Sequence, residues 1–398
     1  MKISKEKIKE LLTRGVEEVI GRDRLEKRLL AGEKLRVKLG VDPTSPDLHL
    51  GHAVVLWKLK QFQDAGHQII LIIGGATAKI GDPSGRDQTR PMLSMEQIEK
   101  NAKTYLKQAQ KILDVRKCEM HNNDEWFSKF GFDDFIHLAA KFPLARILER
   151  DDFANRLKAG LEIQTHEILY PMMQAYDSIM VKADVEIGGT DQKFNLLAGR
   201  DLQRKMGVSE QDVMTLPILV GLDGIKKMSK SLGNYVGLAE APEEMYGKIM
   251  SIPDSLLWHY FELCTKIPAG EIEKMKKKVK EGANPRDYKM HLAREIVSIY
   301  QSPNEAKKAE ENFIKVFQKK EAPEEIKSVK LKVKSLNIVD LLIEVKLAQS
   351  KSEVRRLIEQ GGIKVDNKVV KDPKIEIAIP EDGVLIQKGK RHFVRVRS

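Results

Sequence analysis

Between residue 3 and about residue 31, apolar side chains recur at helical intervals: Ile8, Leu11, Leu12, Val16, Val19 and Ile20 fall along one stripe, which predicts amphipathic helix. LRVKLGV (35–41) predicts a strand that stops at DPTSP, and a helix is expected from about Leu48 through AVVLWKLKQFQDAG to Gly66. QIILII (68–73) has no polar interruption, the mark of a strand buried on both faces, and it ends in GGAT. Further strands are expected at Val181–Ile187, before GGTDQKFN, and at Met214–Val220, before GLDGIKKMSKS. Strand, polar glycine-containing loop, helix and buried strand in succession predict an α/β fold with a Rossmann-like parallel sheet. Ligands of such sheets bind beyond the carboxyl ends of the strands, where these loops lie.

This pattern divides the chain into three domains. Residues 1–232 are expected to form the catalytic α/β part; 233–325 read as helical, with Lys/Glu faces such as EIEKMKKKVKEG that suit solvation or contact with a polyanion. Residues 326–398 predict a small α+β domain of two short helices, Gly361-Gly362, and short strands with a turn at Asp366-Asn367. Lys351, Arg355 and Arg356 fall near one face of its second helix, which suits contact with a phosphate backbone or simple solvation.

Charge narrows the partners. With 69 Lys+Arg against 58 Asp+Glu the net charge is +11, a balance that attracts polyanions such as nucleic acid. Only Cys118 and Cys264 occur, so neither a disulfide framework nor a cysteine zinc site is expected. No apolar run reaches membrane-spanning length and the N-terminus has no signal-peptide core; the expectation is a cytoplasmic protein without a membrane span.

Two elements carry candidate chemistry. His49 and His52 in HLGH sit three apart at an expected helix start, with Gly51 between them. A metal pair, with Asp42 or Asp47 adding ligands, and two structural histidines are alternatives. A metal would need both a third and a fourth ligand, and His-Glu-x-x-His is absent, whereas a helix N-terminus with a close-approaching glycine suits a phosphate. KMSKS places Lys227 and Lys230 as mobile cations, with Ser229 and Ser231 as hydroxyl donors around Met228; Gly221, Gly224 and Gly233 allow that loop to move. GxxxxGK[ST] and GxGxxG are both missing, which sets aside P-loop ATPase and nicotinamide chemistry.

The pairing of HLGH with KMSKS resembles the two signatures of class I aminoacyl-tRNA synthetases. GVDPTSPDLHLGH, GDPSGR, LYPMMQAYD, GGTDQKFN and KMSKSLGN resemble, more narrowly, the bacterial tyrosyl-tRNA synthetases, and LAQSKSEVRRLIEQGGIKV resembles the S4 RNA-binding domain these carry. The resemblance implies ATP binding by Asp42, His49, Gly51, His52, Met228, Ser229 and Lys230, with His49, His52, Thr44, Lys227 and Lys230 stabilising the phosphates during reaction. It implies a tyrosine site made of Asp82, Tyr170, Gln174, Asp177 and Gln192, in which Asp177 receives the phenol and Tyr170, Gln174 and Asp82 the α-ammonium. Contacts to tRNA are implied for Arg86, Arg90, Lys351, Arg355 and Arg356. Two positions depart from the pattern: Lys38 stands where one branch has a phenol-touching tyrosine, and Gly75 where another has an acidic residue.

The implied function is a tyrosine–tRNA ligase acting on L-tyrosine, ATP with Mg²⁺ and tRNA(Tyr), as a homodimer without a dedicated protein metal site. The 233–325 domain would lie on the anticodon side. A tryptophanyl-tRNA synthetase, a synthetase-derived RNA-binding or splicing factor, and a small-molecule adenylate-forming ligase are the rival readings.

Overall fold

The computed structural model describes residues 3–44, 46–84, 93–318, 327–331, 333–348, 350–366, 368–389 and 392–398. Packing divides the chain into two compact units that meet in sequence at Tyr300 and Gln301, so the segment 233–325 is shared between them.

The first unit is built on a six-stranded sheet of β1 (Glu18–Ile20), β2 (Arg36–Val41), β3 (Gln68–Ile73), β4 (Glu119–Asn122), β5 (Val185–Gly189) and β6 (Asp212–Leu216). Their order is β1-β6-β5-β2-β3-β4, all parallel except β1, which runs antiparallel to β6. The order reverses between β5 and β2. That is the switch point where a parallel sheet opens a crevice. DPTSP, GGAT, GGTDQ and GLDGIKKMSKS follow β2, β3, β5 and β6 respectively, so all four loops gather at one edge.

The helix expected over 3–31 is interrupted. Helices Lys5–Thr13 and Arg22–Ala31 flank β1, where β-branched Val19 and Ile20 favour the extended chain. Gly21 then turns the chain at φ 88°, where a Cβ would stand 1.9 Å from Asp212 Oδ1. The strand expected at 181–187 begins four residues later, because Val181 and Ala183 are buried in the turn that ends helix Leu169–Met180. The one expected at 214–220 runs from 212 to 216; Pro217 lacks the N–H to continue a ladder. Helix Leu50–Asp64 and β3 lie close to their expected places.

In the second unit, β7 (Lys327–Lys330), β9 (Ile363–Val365), β10 (Lys368–Val369), β12 (Val384–Lys388) and β13 (His392–Arg397) form one sheet, and β8 (Ser335–Asn337) pairs with β11 (Glu376–Ala378). Helices Ile338–Glu344 and Lys351–Glu359 supply Leu341, Leu342, Val354 and Ile358 to a core shared with Ile363, Ile386 and Val396. The turn at Asp366 is present, with φ 44°; Asn367 lies outside the described residues.

Candidate active site

His49 is the N-cap of helix Leu50–Asp64 and is in extended conformation; His52 is the third residue of the helix. His52 Nδ1 accepts the His49 backbone N–H at 3.2 Å, and the two rings lie 3.9 Å apart. That bond occupies Nδ1 as an acceptor, so the neutral His52 ring carries its proton on Nε2 as a free donor. Its neighbour is buried, with only 8% of its surface exposed, and His49 Nδ1 has no hydrogen-bond partner. Burial, then the positive charge of His52 and Lys230, pushes the His49 imidazole down to about 2, so it is neutral at every working pH. Gly51 has to be small here, since a Cβ would sit 3.0 Å from two atoms of the His49 ring.

A short antiparallel pairing joins this motif to the chain that follows KMSKSLGN. The Leu50 N–H donates to the Val236 carbonyl, the Leu238 N–H donates to the Leu48 carbonyl, and His49 bridges Gly237. Within KMSKS the buried Met228 donates its N–H to the Leu219 carbonyl at 2.8 Å, and the Ser229 N–H donates to Asn234 Oδ1 at 2.8 Å. Ser229 and Ser231 hydroxyls are 2.9 Å apart. Lys227 Nζ reaches Asp191 at 3.1 Å and Lys230 Nζ reaches Asp47 at 3.0 Å. Both pairs are partly exposed and therefore worth little, so phosphate oxygens can take over the lysines at small cost.

Beside these loops a pocket is lined by Gly40, Asp42, Ile72, Thr77, Asn123, Tyr170, Gln174 and Asp177, with Val41 and Gly74. Tyr170, Gln174 and Asp177 share a face of helix Leu169–Met180. The Tyr170 hydroxyl and the Thr77 hydroxyl each donate to Asp42, both at 2.9 Å. Asp177, only 3% exposed, accepts from Trp126 Nε1 at 3.0 Å and Asn123 Nδ2 at 3.3 Å. Burial raises the Asp177 carboxyl to about 7, against the opposing pull of Lys38 and the two donors. Two donors leave acceptor capacity on the carboxylate for a third. Gln174 Oε1 is buried without a partner.

Asp82 and Gln192 form a second group. Gln192 Nε2 donates to Asp82 Oδ2 at 3.2 Å, and the Ser84 N–H to Asp82 Oδ1 at 2.9 Å. Behind them the buried Arg150 donates to Ser84 Oγ at 3.0 Å, to Asn195 Oδ1 at 2.8 Å and to Asp152. Thr44 lies half-buried in the loop after β2, its N–H donating to the Asp42 carbonyl at 2.7 Å. Arg86 and Arg90 lie outside the described residues.

In the C-terminal unit, Lys351, Arg355 and Arg356 are exposed on helix Lys351–Glu359, whose other side buries Val354 and Ile358. Lys351 pairs with Asp340 at 2.7 Å. Among the described residues no group of three or more His, Cys, Asp or Glu side chains could hold a metal ion, and no helix is long and apolar enough to cross a membrane.

Sequence reasoning missed Trp126 and Asn123, the donors to Asp177; they come from the segment after β4, a strand too short and polar to be predicted. It also missed Arg150 and the apolar residues that helices Phe132–Ala139, Leu144–Leu148 and Asp151–Lys158 leave exposed.

Residues 30–318 match the family described as tRNA synthetases class I (W and Y), and residues 338–384 match the S4 domain. The chain is 53% identical to a tyrosine–tRNA ligase of Thermotoga maritima, over 97% of this chain and 96% of that protein. It is 51% identical to one of Dehalococcoides mccartyi over 99% of each. Among solved structures, the tyrosyl-tRNA synthetase of Archaeoglobus fulgidus, in complex with L-tyrosine, superposes with a TM-score of 0.62 at 25% identity, covering 77% of this chain and 99% of that one.

Proposed function

The chain belongs to the class I tRNA synthetases of the tryptophan and tyrosine group, and on that premise we propose that it is a tyrosine–tRNA ligase whose pocket recognises the phenol through Asp177. The observation that carries the substrate is that the buried Asp177 carboxylate, with acceptor capacity to spare, lines the pocket. The names of the full-length relatives favour tyrosine over tryptophan.

In the first step a tyrosine carboxylate oxygen attacks the α-phosphorus of ATP and the bond to pyrophosphate breaks. In the second, a ribose hydroxyl at the 3′ end of tRNA(Tyr) attacks the activated carbonyl; AMP leaves and the hydroxyl proton is lost. Both nucleophiles belong to substrates, so the protein's part is positioning and charge stabilisation. His52 Nε2–H and the helix N-terminus at Gly51 face the α-phosphate; Lys227, Lys230 and Ser229 exchange their present partners for the departing β and γ phosphates. Thr44 assists at the same phosphates, and Asp42, Met228 and His49 shape the nucleotide site. The donors here are cationic or neutral, which suits phosphate oxygens rather than a caged metal. Mg²⁺ carried by ATP would neutralise part of the phosphate charge.

Tyr170, Gln174 and Asp82 receive the α-ammonium, and Gln192 lies beside the amino acid and helps to fix its pose. Lys351, Arg355 and Arg356 bind the tRNA backbone; Arg86 and Arg90 serve its acceptor end, and the helices of 233–325 lie on the anticodon side. The test is amino-acid-dependent ATP–pyrophosphate exchange across the twenty amino acids, with tRNA charging measured alongside. Exchange is expected with tyrosine alone; removing residues 330–398 is expected to leave it while abolishing charging. Exchange driven by tryptophan, or by none, overturns the proposal.

We also propose a homodimer. Phe132 is 80% exposed, and Ile136, Leu144 and Leu157 are exposed on the same run of short helices, with Leu161 exposed just after it. Such clustering of large apolar groups marks a protein contact. Phe132→Asp combined with Leu144→Asp is expected to convert two-chain particles into single chains in sedimentation. An unchanged sedimentation coefficient rules this face out.

A further inference from the structure

Directly beneath the pocket lies a buried charge pair that the mechanism above does not use. Lys38 of β2 stands opposite Glu186 of β5, and their side chains meet at 2.9 Å with 0% and 1% exposure. The β2–β5 ladder has only two rungs, Val37–Val185 and Lys38–Glu186. The pair is therefore the last rung before the crevice at the switch point. Strand alternation places Lys38 and Gly40 on one face of β2; Gly40 lines the pocket, as does Asp42 just after the strand, and Lys38 stands one alternation further back, outside the lining.

All three ammonium hydrogens are engaged. Besides Glu186, Lys38 donates to the Gln174 carbonyl at 2.9 Å and to Ser178 Oγ at 2.7 Å, the residues three before and one after Asp177 on the same helix. Glu186 in turn accepts from Gln174 Nε2 at 3.0 Å, from Ser178 Oγ at 3.1 Å and from Gln211 Nε2. The pair thus grips the stretch of helix that presents both Gln174 and Asp177. A buried ion pair rarely adds net stability over well-packed apolar residues, so stability alone is a poor reason for one here.

Charge gives the better reason. The charged groups acting on Asp177 are Lys38 from β2 and Glu186 from β5; Trp126 and Asn123, after β4, face it as neutral donors. With Asp177 ionised, this buried set holds two carboxylates and one cation. Without Lys38, two carboxylates would share a desolvated site, where one must take up a proton. A protonated Asp177 is a donor itself and loses its advantage for a hydroxyl over a bare ring.

We propose that Lys38, anchored by Glu186, is a specificity-determining positioning residue for the amino acid: it holds the helix that carries Asp177 and supplies the charge that leaves this carboxylate free to accept a phenol hydrogen bond. The inference rests on the reading of Asp177 as the phenol acceptor. It does not require Lys38 to touch the substrate.

The experiment measures kcat/KM for tyrosine and for phenylalanine in pyrophosphate exchange from pH 6 to 9, in the full chain. Four variants are compared: Lys38→Met, Glu186→Gln, the double variant, and Asp177→Asn as control. Lys38→Met is expected to cut the tyrosine preference about fivefold at pH 7, the fall in the ionised fraction when Asp177, near 7, rises by about one pKa unit, and to recover it as the pH rises. Glu186→Gln leaves Lys38 unopposed, so the preference is retained and its acid limb moves to lower pH. The double variant falls between the two, and it serves if Lys38→Met does not fold. A structural role alone would lower activity toward both amino acids without moving the ratio or its pH profile. That result, or an unmoved acid limb in Glu186→Gln, overturns the inference. If Asp177→Asn keeps the wild-type preference, the phenol reading itself has failed; if Asp177→Asn loses it while the Lys38 and Glu186 variants do not, only this inference has.

Discussion

Asp177→Ala is expected to lose about a hundredfold of the preference for tyrosine over phenylalanine, through slower activation of tyrosine and relief of the penalty on phenylalanine. A hydrogen bond to a charged group contributes up to about 3 kcal/mol, which sets that factor. The geometry explains why the carboxylate discriminates. Asp177 is buried, and Trp126 and Asn123 engage one oxygen each without saturating either. A phenol completes its shell; a bare phenyl ring seals it from water with acceptor capacity unfilled, at the cost of burying a polar group unpaired. The same burial gives the discrimination a pH dependence. Because the carboxyl is raised to about 7, it is ionised and accepting above that pH and protonated below it. In the wild type, kcat/KM for tyrosine should therefore fall as pH drops through about 7, while that for phenylalanine changes little, and the ratio narrows in acid. Competing activation rates at pH 6 and pH 8.5 measure this directly. A ratio that is flat in pH and indifferent to the alanine substitution would remove Asp177 from the phenol's recognition.

What could be read from the chain was whatever is encoded locally. QIILII announces a doubly buried strand, and HLGH announces a helix start; both appear close to their expected places. Lys351, Arg355 and Arg356 share an exposed face because their spacing alone dictates it. The failures are equally physical. The Lys38–Glu186 pair joins residues 148 positions apart in sequence, and neither shows its partner; within LRVKLGV a lysine looks like an ordinary strand residue at the solvent face. Arg150 braces Ser84 and Asn195 from a segment whose pattern suggests only a charged helix start. β1 hides inside a helical stripe, because Val19 and Ile20 continue the apolar spacing although the sheet edge recruits them. Local periodicity reports which face of an element is apolar; the buried polar contacts that shape a pocket are set by topology.

The other large effect is expected at His52. Its Nδ1 is committed to the His49 N–H, which directs the Nε2–H donor outward beside Gly51 and the helix N-terminus. A donor placed where charge builds on the α-phosphate is used mainly in the transition state, and losing one costs about 3 kcal/mol, or a hundredfold in rate. His52→Ala should slow adenylate formation by about that factor in single-turnover measurements, with tyrosine affinity unchanged because the amino acid pocket is built from other side chains. Alanine also removes a helix cap, at about 1 kcal/mol, and that loss appears as a lowered melting temperature rather than a lowered rate. His52→Gln separates the two effects. A glutamine three residues into a helix can accept the N-cap N–H and restore the cap, and its amide can also donate, though from a different position. The cap, and hence the melting temperature, should return fully, and the rate only in part. Since His49 is neutral throughout, no acid limb from its protonation should appear in the rate above pH 5. Should His52→Ala form adenylate at the wild-type rate, the phosphate is held elsewhere and the role given to this histidine is wrong.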